Sequence, residues 1–354
     1  MWLIGKYGSI FFAGSARGQL GVFHTRRRTK NLGGSIMRKI ILSLIAFLPF
    51  ALATTVVSAE EFIRIVSGPS GGSWYPLGAK IAEVLGKQVK GIATSNAPGG
   101  GVGNVRNINK KAAEIGWTYA HTAYEGSQGT GKFKSKQTNA RHFASLYPAG
   151  YQTAVRRDSK IRTYSDLKNK RISPGLKHFS GNAATELLLG EYGITYGSIK
   201  KAGGNINHVS FSDSVALMKD GHIDAFLAMT SVPQASFKQL NFKPGIRFLG
   251  IEKNVLNRFL SKNKGYIRAT IPTSAYDGMK AEVPTIGAVT TLVISKDVPN
   301  EIVYQMTKAL WDNHAQFVKV KGVWKKVKLS TALSGAAIPV HPGAKRYYDE
   351  KGVK

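Results

Sequence analysis

The chain has 354 residues, 43% of them hydrophobic, which is enough for two globular lobes and ordinary for a folded protein. It has no cysteine, which excludes a disulfide framework, thiolate chemistry and a cysteine zinc site. Its formal charge is +30, and eight of the fifty basic residues precede Glu60, leaving +22 from Glu60 onward. These charges are dispersed, and the nearest patch, Lys325-Lys326-Val327-Lys328, has no interleaved aromatics for stacking on bases. The pattern therefore fits solubility or attraction of anions better than nucleic-acid binding.

The N-terminal region is read as targeting sequence. Met37 to Ala59 has a basic start at Arg38 and Lys39, an apolar run from Ile40 to Leu52, and Val57-Ser58-Ala59 as a small-residue cleavage site. This is the pattern of a secretory signal peptide, and its apolar run is short for a membrane span; a retained anchor is the alternative. Residues 1–36 are expected to be an upstream extension outside the fold, with Met37 as the true start.

From Glu60 the chain reads as a repeated unit. Phe62 to Val66 is a predicted buried strand, and Ser67 to Tyr75 is a loop carrying Gly68, Gly71 and Gly72. From Pro76 a helix is predicted, with Leu77, Ile81, Val84 and Leu85 on one face. A strand, a glycine loop and a helix N-terminus bring free N–H groups and a positive dipole end to one point, so a small anion is the expected ligand. The unit recurs as a strand over Val89 to Ser95, the loop Asn96 to Asn104, a helical face at Val105, Ile108 and Ala112, and a strand over Ile115 to Ala120. Right-handed crossovers then place both loops at the carboxyl edge of a parallel sheet.

Thr122 to Lys136 is expected to be an irregular connection, and Pro148-Ala149-Gly150 to break the strand-rich run that follows at the first passage between lobes. A second lobe repeats the pattern. The loop Pro174 to Asn182 opens onto a helix over Ala183 to Tyr192; Ser212 caps a helix over Asp213 to Asp220; a strand over Ile223 to Met229 leads to Thr230-Ser231-Val232-Pro233. Val283 to Ser295 is expected to cross back, followed by helices over Glu301 to Phe317 and Pro342 to Lys351. The predicted organisation is lobe I over 60–148, lobe II and the hinge return over 149–295, and C-terminal helices over 296–354 packing back onto lobe I.

Catalytic and metal motifs fare poorly. Gly68-Pro69-Ser70-Gly71-Gly72 matches G-x-S-x-G and makes a secreted serine hydrolase using Ser70 the competing reading, although the helix is expected to begin too far beyond the serine. Gly126 to Lys132 misses a phosphate-binding P-loop because Phe133 stands where a Mg²⁺-binding hydroxyl is needed. Gly99 to Asn104 approaches a dinucleotide loop but lacks the third glycine and a following acidic residue. The eight histidines show no metal spacing. No catalytic residue, metal or cofactor is expected.

The order of these segments resembles the TAXI family of TRAP-transporter solute receptors. The likeness rests on GGSWYPLGAKIAEVL at 71–85, PGGGVGNVRNI at 98–108 and AEIGWTYAHTAYEG at 113–126. It continues through DLKNKRIS at 166–173, DGHIDAFLAMTSVP at 220–233 and HPGAKRYYDEKG at 341–352. The resemblance implies an α/β fold of the type II periplasmic binding protein kind, two lobes joined by hinge strands, monomeric, closing on a carboxylated solute such as glutamate or a dicarboxylate and delivering it to a TRAP membrane permease. It implies ligand contacts at Ser73, Trp74 and Tyr75, at Gly100 and Asn104, at Tyr119 and His121, and at Ser180, Gly181 and Asn182; Thr230, at a strand end facing the same cleft, joins them. Two departures matter. Pro98-Gly99-Gly100-Gly101 replaces the family's Thr-Gly-Gly-Ser, and Tyr119-Ala120-His121 replaces Gln-Ser-Asp, removing a carboxylate suited to a ligand amine. The expected ligand is therefore an acid without an amine.

Overall fold

The computed structural model describes residues 60–354; the extension and signal-peptide readings lie outside them. In lobe I, β1 (Glu61–Val66) leads to α1 (Trp74–Gln88), β2 (Ile92–Ala97), α2 (Gly101–Asn109), β3 (Ile115–Tyr119) and α3 (Ala120–Gln128). β4 (Ala140–Arg156) then crosses to lobe II, which contains β5 (Arg171–Ser173), α4 (Ser180–Gly190), α5 (Tyr196–Lys201), β6 (Asn205–Ile206), α6 (Phe211–Lys219) and β7 (Ala225–Thr230). There follow α7 (Ala235–Phe242), β8 (Ile246–Phe248), α8 (Lys253–Lys262), β9 (Ile267–Ile271) and the returning β10 (Val283–Ser295), then α9 (Asn300–Asp312), α10 (His314–Val320) and α11 (Pro342–Glu350).

The strands form one sheet in the order β2-β1-β3-β10-β4-β7-β5-β6, with β8 on β4 and β9 on β10. β1 is parallel to β2 and β3, and β5 is parallel to β6 and β7, so each lobe has its own parallel half. β10 lies antiparallel between β3 and β4, and β4 lies antiparallel between β10 and β7. Both lobes therefore read second, first, third, returning strand, fourth, with β4 and β10 exchanging the last two roles. This is the type II periplasmic binding protein architecture, two α/β lobes joined by crossing strands. Ligand loops then lie beyond the carboxyl ends of β1, β3, β5 and β7, where an open sheet of this kind binds.

The core runs beneath both halves, with Trp117, Tyr147, Tyr151, Tyr164, Trp324 and Tyr348 among its largest fully buried side chains. α9 and α11 pack on each other and α9 lies on α1. Tyr348 Oη donates to Phe143 O at 2.7 Å, which ties the C-terminal helix to β4. Gly78 is needed where α1 crosses the end of β1, since a Cβ there would stand 2.6 Å from Ser67 Cβ.

Several boundaries differ from the sequence reading. α1 begins at Trp74 with Ser73 as N-cap. Pro76 is therefore its third residue, which costs nothing because the first turn's N–H groups have no intrahelical partner. β2 begins three residues later than predicted. The expected loop over Thr122 to Lys136 contains most of α3, closed by Gly129 at φ 73°. β4 runs unbroken through Pro148, whose missing N–H falls where the pairing with β10 is already irregular, before Thr291. α6 is capped by Ser210 in a capping box with Asp213, two residues ahead of the predicted cap and start. The predicted helix over 301–317 is two, parted at Asn313, whose side-chain amide donates to Ala309 O.

Candidate solute cleft

The loops after β1, β2 and β3 meet those of lobe II with a narrow cavity between them, about 30 Å³, room for about two water molecules. Lobe I supplies Pro69, Gly72, Ser73, Trp74, Gly100, Gly101 and Tyr119, and lobe II supplies Phe179, Ser180, Gly181, Phe211, Met229 and Thr230. No charged side chain is among them. The polar surface is instead backbone at helix starts and hydroxyl groups.

Four of those helix starts are uncapped. α1, α2, α3 and α4 have no side-chain hydrogen bond at the N-cap, so positive dipole ends and the first-turn N–H groups not already bonded are left for another partner. α6, which contributes Phe211, is by contrast sealed by Ser210 and Asp213.

The two lobes touch directly around the cavity. Ser73 Oγ and Ser231 Oγ are 2.6 Å apart, and Tyr119 Oη donates to Met229 O at 2.9 Å. Gly103 N donates to His178 O at 3.1 Å, and Thr122 Oγ1 donates to Ser180 Oγ at 3.0 Å. Gln234 Nε2 and Ser236 Oγ both donate to Gly71 O. At the margin Lys132 Nζ is 2.6 Å from Glu186 Oε2. The lobes are closed on one another.

The glycines set the limit of that approach. A methyl group on Gly100 would collide with the Phe179 ring, and one on Gly101 with Ser180 Oγ, both from lobe II. Gly71, at φ 77°, would bring a Cβ to 2.8 Å from Ser212 Oγ. Bare backbone at these three positions lets the lobes meet.

Of the residues singled out in the sequence, Ser73, Trp74, Gly100, Tyr119, Ser180, Gly181 and Thr230 line the cavity. Tyr75, Asn104, His121 and Asn182 do not. Tyr75 points outward and is 39% exposed. Asn104 is buried and its amide is fully used: the two hydrogens of Nδ2 are shared among Val66 O, Ser67 O and Trp117 O, and Oδ1 accepts from Gly100 N. It ties the ends of β1 and β3 to the start of α2, holding the glycine loop in place. Asn182 Nδ2 donates to Gly175 O and meets His208 Nδ1, so it braces its own loop.

His121 stacks on Tyr266 at 4.0 Å between ring centres and lies nearly parallel to Tyr119 at 5.8 Å. Burial lowers its pKa to about 3, so the ring is neutral. Thr122 spends its proton on Ser180, so His121 Nε2 carries the hydrogen shared with Thr122 Oγ1 at 3.0 Å. His121 thus supports the interlobe bond from behind.

The sequence reading missed Phe179, Phe211 and Met229 as walls, and Ser231, Gln234 and Ser236 as bridging groups. The segment from Thr230 to Pro233, a strand end entering a helix, carried the signal for Ser231.

Ser70, the hydrolase candidate, lies 3.3 Å from Ser212 Oγ, and no histidine or carboxylate hydrogen-bonds to it among the described residues. No group of three or more potential metal ligands occurs among those residues either.

Residues 65–352 match the NMT1-like family. The chain belongs to that family. Solved structures similar to this NMT1-like chain include PhnD1 from Prochlorococcus marinus in complex with methylphosphonate, 12% identical over 83% of this chain and 97% of that one, with a TM-score of 0.48. An ancestral arginine-binding protein bound to arginine is 14% identical over 75% of this chain and 99% of that one, TM-score 0.45. The alkanesulfonate-binding protein SsuA from Xanthomonas axonopodis pv. citri bound to MOPS is 14% identical over 82% and 83%, TM-score 0.43.

Proposed function

We propose that the protein is an extracytoplasmic solute receptor whose cleft closes on a small carboxylated solute without an ammonium group, and that it hands this solute to a TRAP-type membrane permease. The observation that carries the reading is the meeting of four uncapped helix N-termini from two lobes at a cavity with no charged side chain. A carboxylate is stabilised there by N–H groups and dipole ends, while an ammonium finds no counter-charge. The direct contacts between lobes become the ligand's contacts. A carboxylate between Ser73 and Ser231 exchanges one hydroxyl–hydroxyl bond for two charge-assisted ones. Trp74, Tyr119, Phe179 and Met229 exclude water and strengthen those bonds.

The lobes must part to admit a solute larger than two waters, and closure over it is the state a permease would distinguish. The signal-peptide pattern at Met37 to Ala59 supports export, and the described residues contain no helix long and apolar enough to cross a membrane. The permease type rests on the TAXI resemblance of the ordered motifs, and the glutamate expectation of that resemblance yields to the missing carboxylate at Tyr119 to His121. On this reading the protein is not an enzyme, and Ser70 is a loop residue.

Calorimetric titration with succinate and glutamate, joined to mass spectrometry of small molecules that copurify, tests the proposal. Carboxylates without an amine are expected to bind and glutamate to bind much more weakly. Tight glutamate binding overturns the specificity, and esterase activity lost in Ser70→Ala overturns the receptor reading.

A further inference from the structure

A second cavity, of about 270 Å³, opens on lobe II and shares no lining residue with the cleft. Its floor is apolar, made by Ile246, Phe248, Met279 and Val283. Arg157, Arg247 and Lys280 stand around it against one lining carboxylate, Asp277. Among the described residues none of these three cations stands in an ion pair.

The walls are fixed. Arg157 Nη2 donates to Asn241 Oδ1 at 3.2 Å, and Asn241 Nδ2 donates to Asp277 O at 2.9 Å, so one amide joins two rims. Arg247 Nη2 donates to Ser159 O at 2.8 Å and to Ile161 O, while its Nη1 is buried without a partner. Phe248 is held by Tyr276 at 4.8 Å and Phe237 at 5.5 Å between ring centres. Three unpaired cations around an apolar floor oppose a cationic ligand, and an inorganic anion would leave the floor wet.

We propose that this cavity is a second binding site, for a small organic anion that carries a carboxylate on an apolar body. The body displaces water from the floor, and the carboxylate takes donors from Arg157 and Lys280 at the rim. The position gives such a ligand a mechanical role. Arg157 directly follows β4, Val283 begins β10, and Phe248 lies in β8, which pairs with β4. The ligand would touch the lobe II ends of both crossing strands. This inference is independent of the solute proposed for the cleft.

Calorimetry of the full chain with benzoate, acetate and benzamide separates the terms, since acetate has the charge without the body and benzamide the body without the charge. Benzoate is expected to bind more tightly than either. The double variant Arg157→Ala, Lys280→Ala should weaken benzoate by roughly tenfold, from two partly exposed charges, with circular dichroism and thermal midpoint unchanged. The control Lys325→Ala should leave binding as it was. Benzoate no tighter than acetate or benzamide overturns the proposal. Binding that survives the double variant also overturns it, since that benzoate then sits elsewhere, the cleft included.

Discussion

The residues that set cleft behaviour are those with the least side chain. Gly100 and Gly101 stand against Phe179 and Ser180 of the other lobe, so a methyl at either is a wedge between lobes; the one at Gly101 also comes to 3.1 Å from Thr118 Oγ1 within its own lobe. Gly101→Ala should lower solute affinity more than tenfold with little change in thermal midpoint; a variant that binds normally contradicts the closed geometry. The glycines were legible as open backbone, but what faces them was not, because a chain read in one dimension carries no distance between residues about eighty positions apart. Asn104 shows the converse: a polar residue in a glycine loop reads as a ligand contact, and only its four backbone bonds reveal a brace. pH separates a buried and a half-buried group one helical turn apart. The imidazole of His121 is held down to about 3, below its ordinary 6.5, so its contribution is present above pH 6.5 and is lost as pH falls from there toward 3. The Glu125 carboxyl is raised by burial to about 7, so its contribution is present below pH 4.5 and is lost as pH rises through 7. Urea unfolding across pH should show His121→Gln flattening the acid limb and Glu125→Gln flattening the fall between pH 4.5 and 7.

Among the elements, α3 was one the sequence concealed, as it did α5 and α8. Its buried face is Ala120, His121, Thr122, Ala123 and Gly126, small or polar residues that make no apolar stripe, so periodicity had nothing to register. α1, by contrast, announced itself through Leu77, Ile81, Val84 and Leu85, all buried. The extent of β4 was hidden for another reason: Pro148 reads as a stop, and only a neighbouring strand that is itself bulged makes it harmless. The loop that follows α3 carries Lys132, whose link to Glu186 on α4 clasps the lobes at the cleft margin. Both partners are about a third exposed, so the pair is worth about 0.2–1 kcal/mol. Glu186→Gln should therefore weaken solute binding by no more than about fivefold, and the difference from wild type should shrink as salt is raised; a loss that is larger and insensitive to salt argues for a buried role.

At the scale of the molecule, the repeat of strand, loop and helix was readable, and so was the pair of lobes, because each unit advertises itself locally. The sharing of β4 and β10 was not, since it lies in pairings rather than in pattern. If the lobes part and close about these two strands, small-angle scattering should show the radius of gyration falling when solute is added to the wild type, and Gly101→Ala should remain at the larger value. A closed radius in that variant argues against the wedge. The shared strands also bear on how the chain reaches its native state. β10 pairs with β3 through residues such as Thr290 and Tyr119, so the N-terminal lobe waits for a strand made some 170 residues later. Pairings of such long range raise the entropy cost of the folding transition state and slow folding. A chain emerging from the ribosome would thus hold its first lobe unfinished until nearly all of it had been made, the condition in which a polypeptide can still be threaded through a membrane.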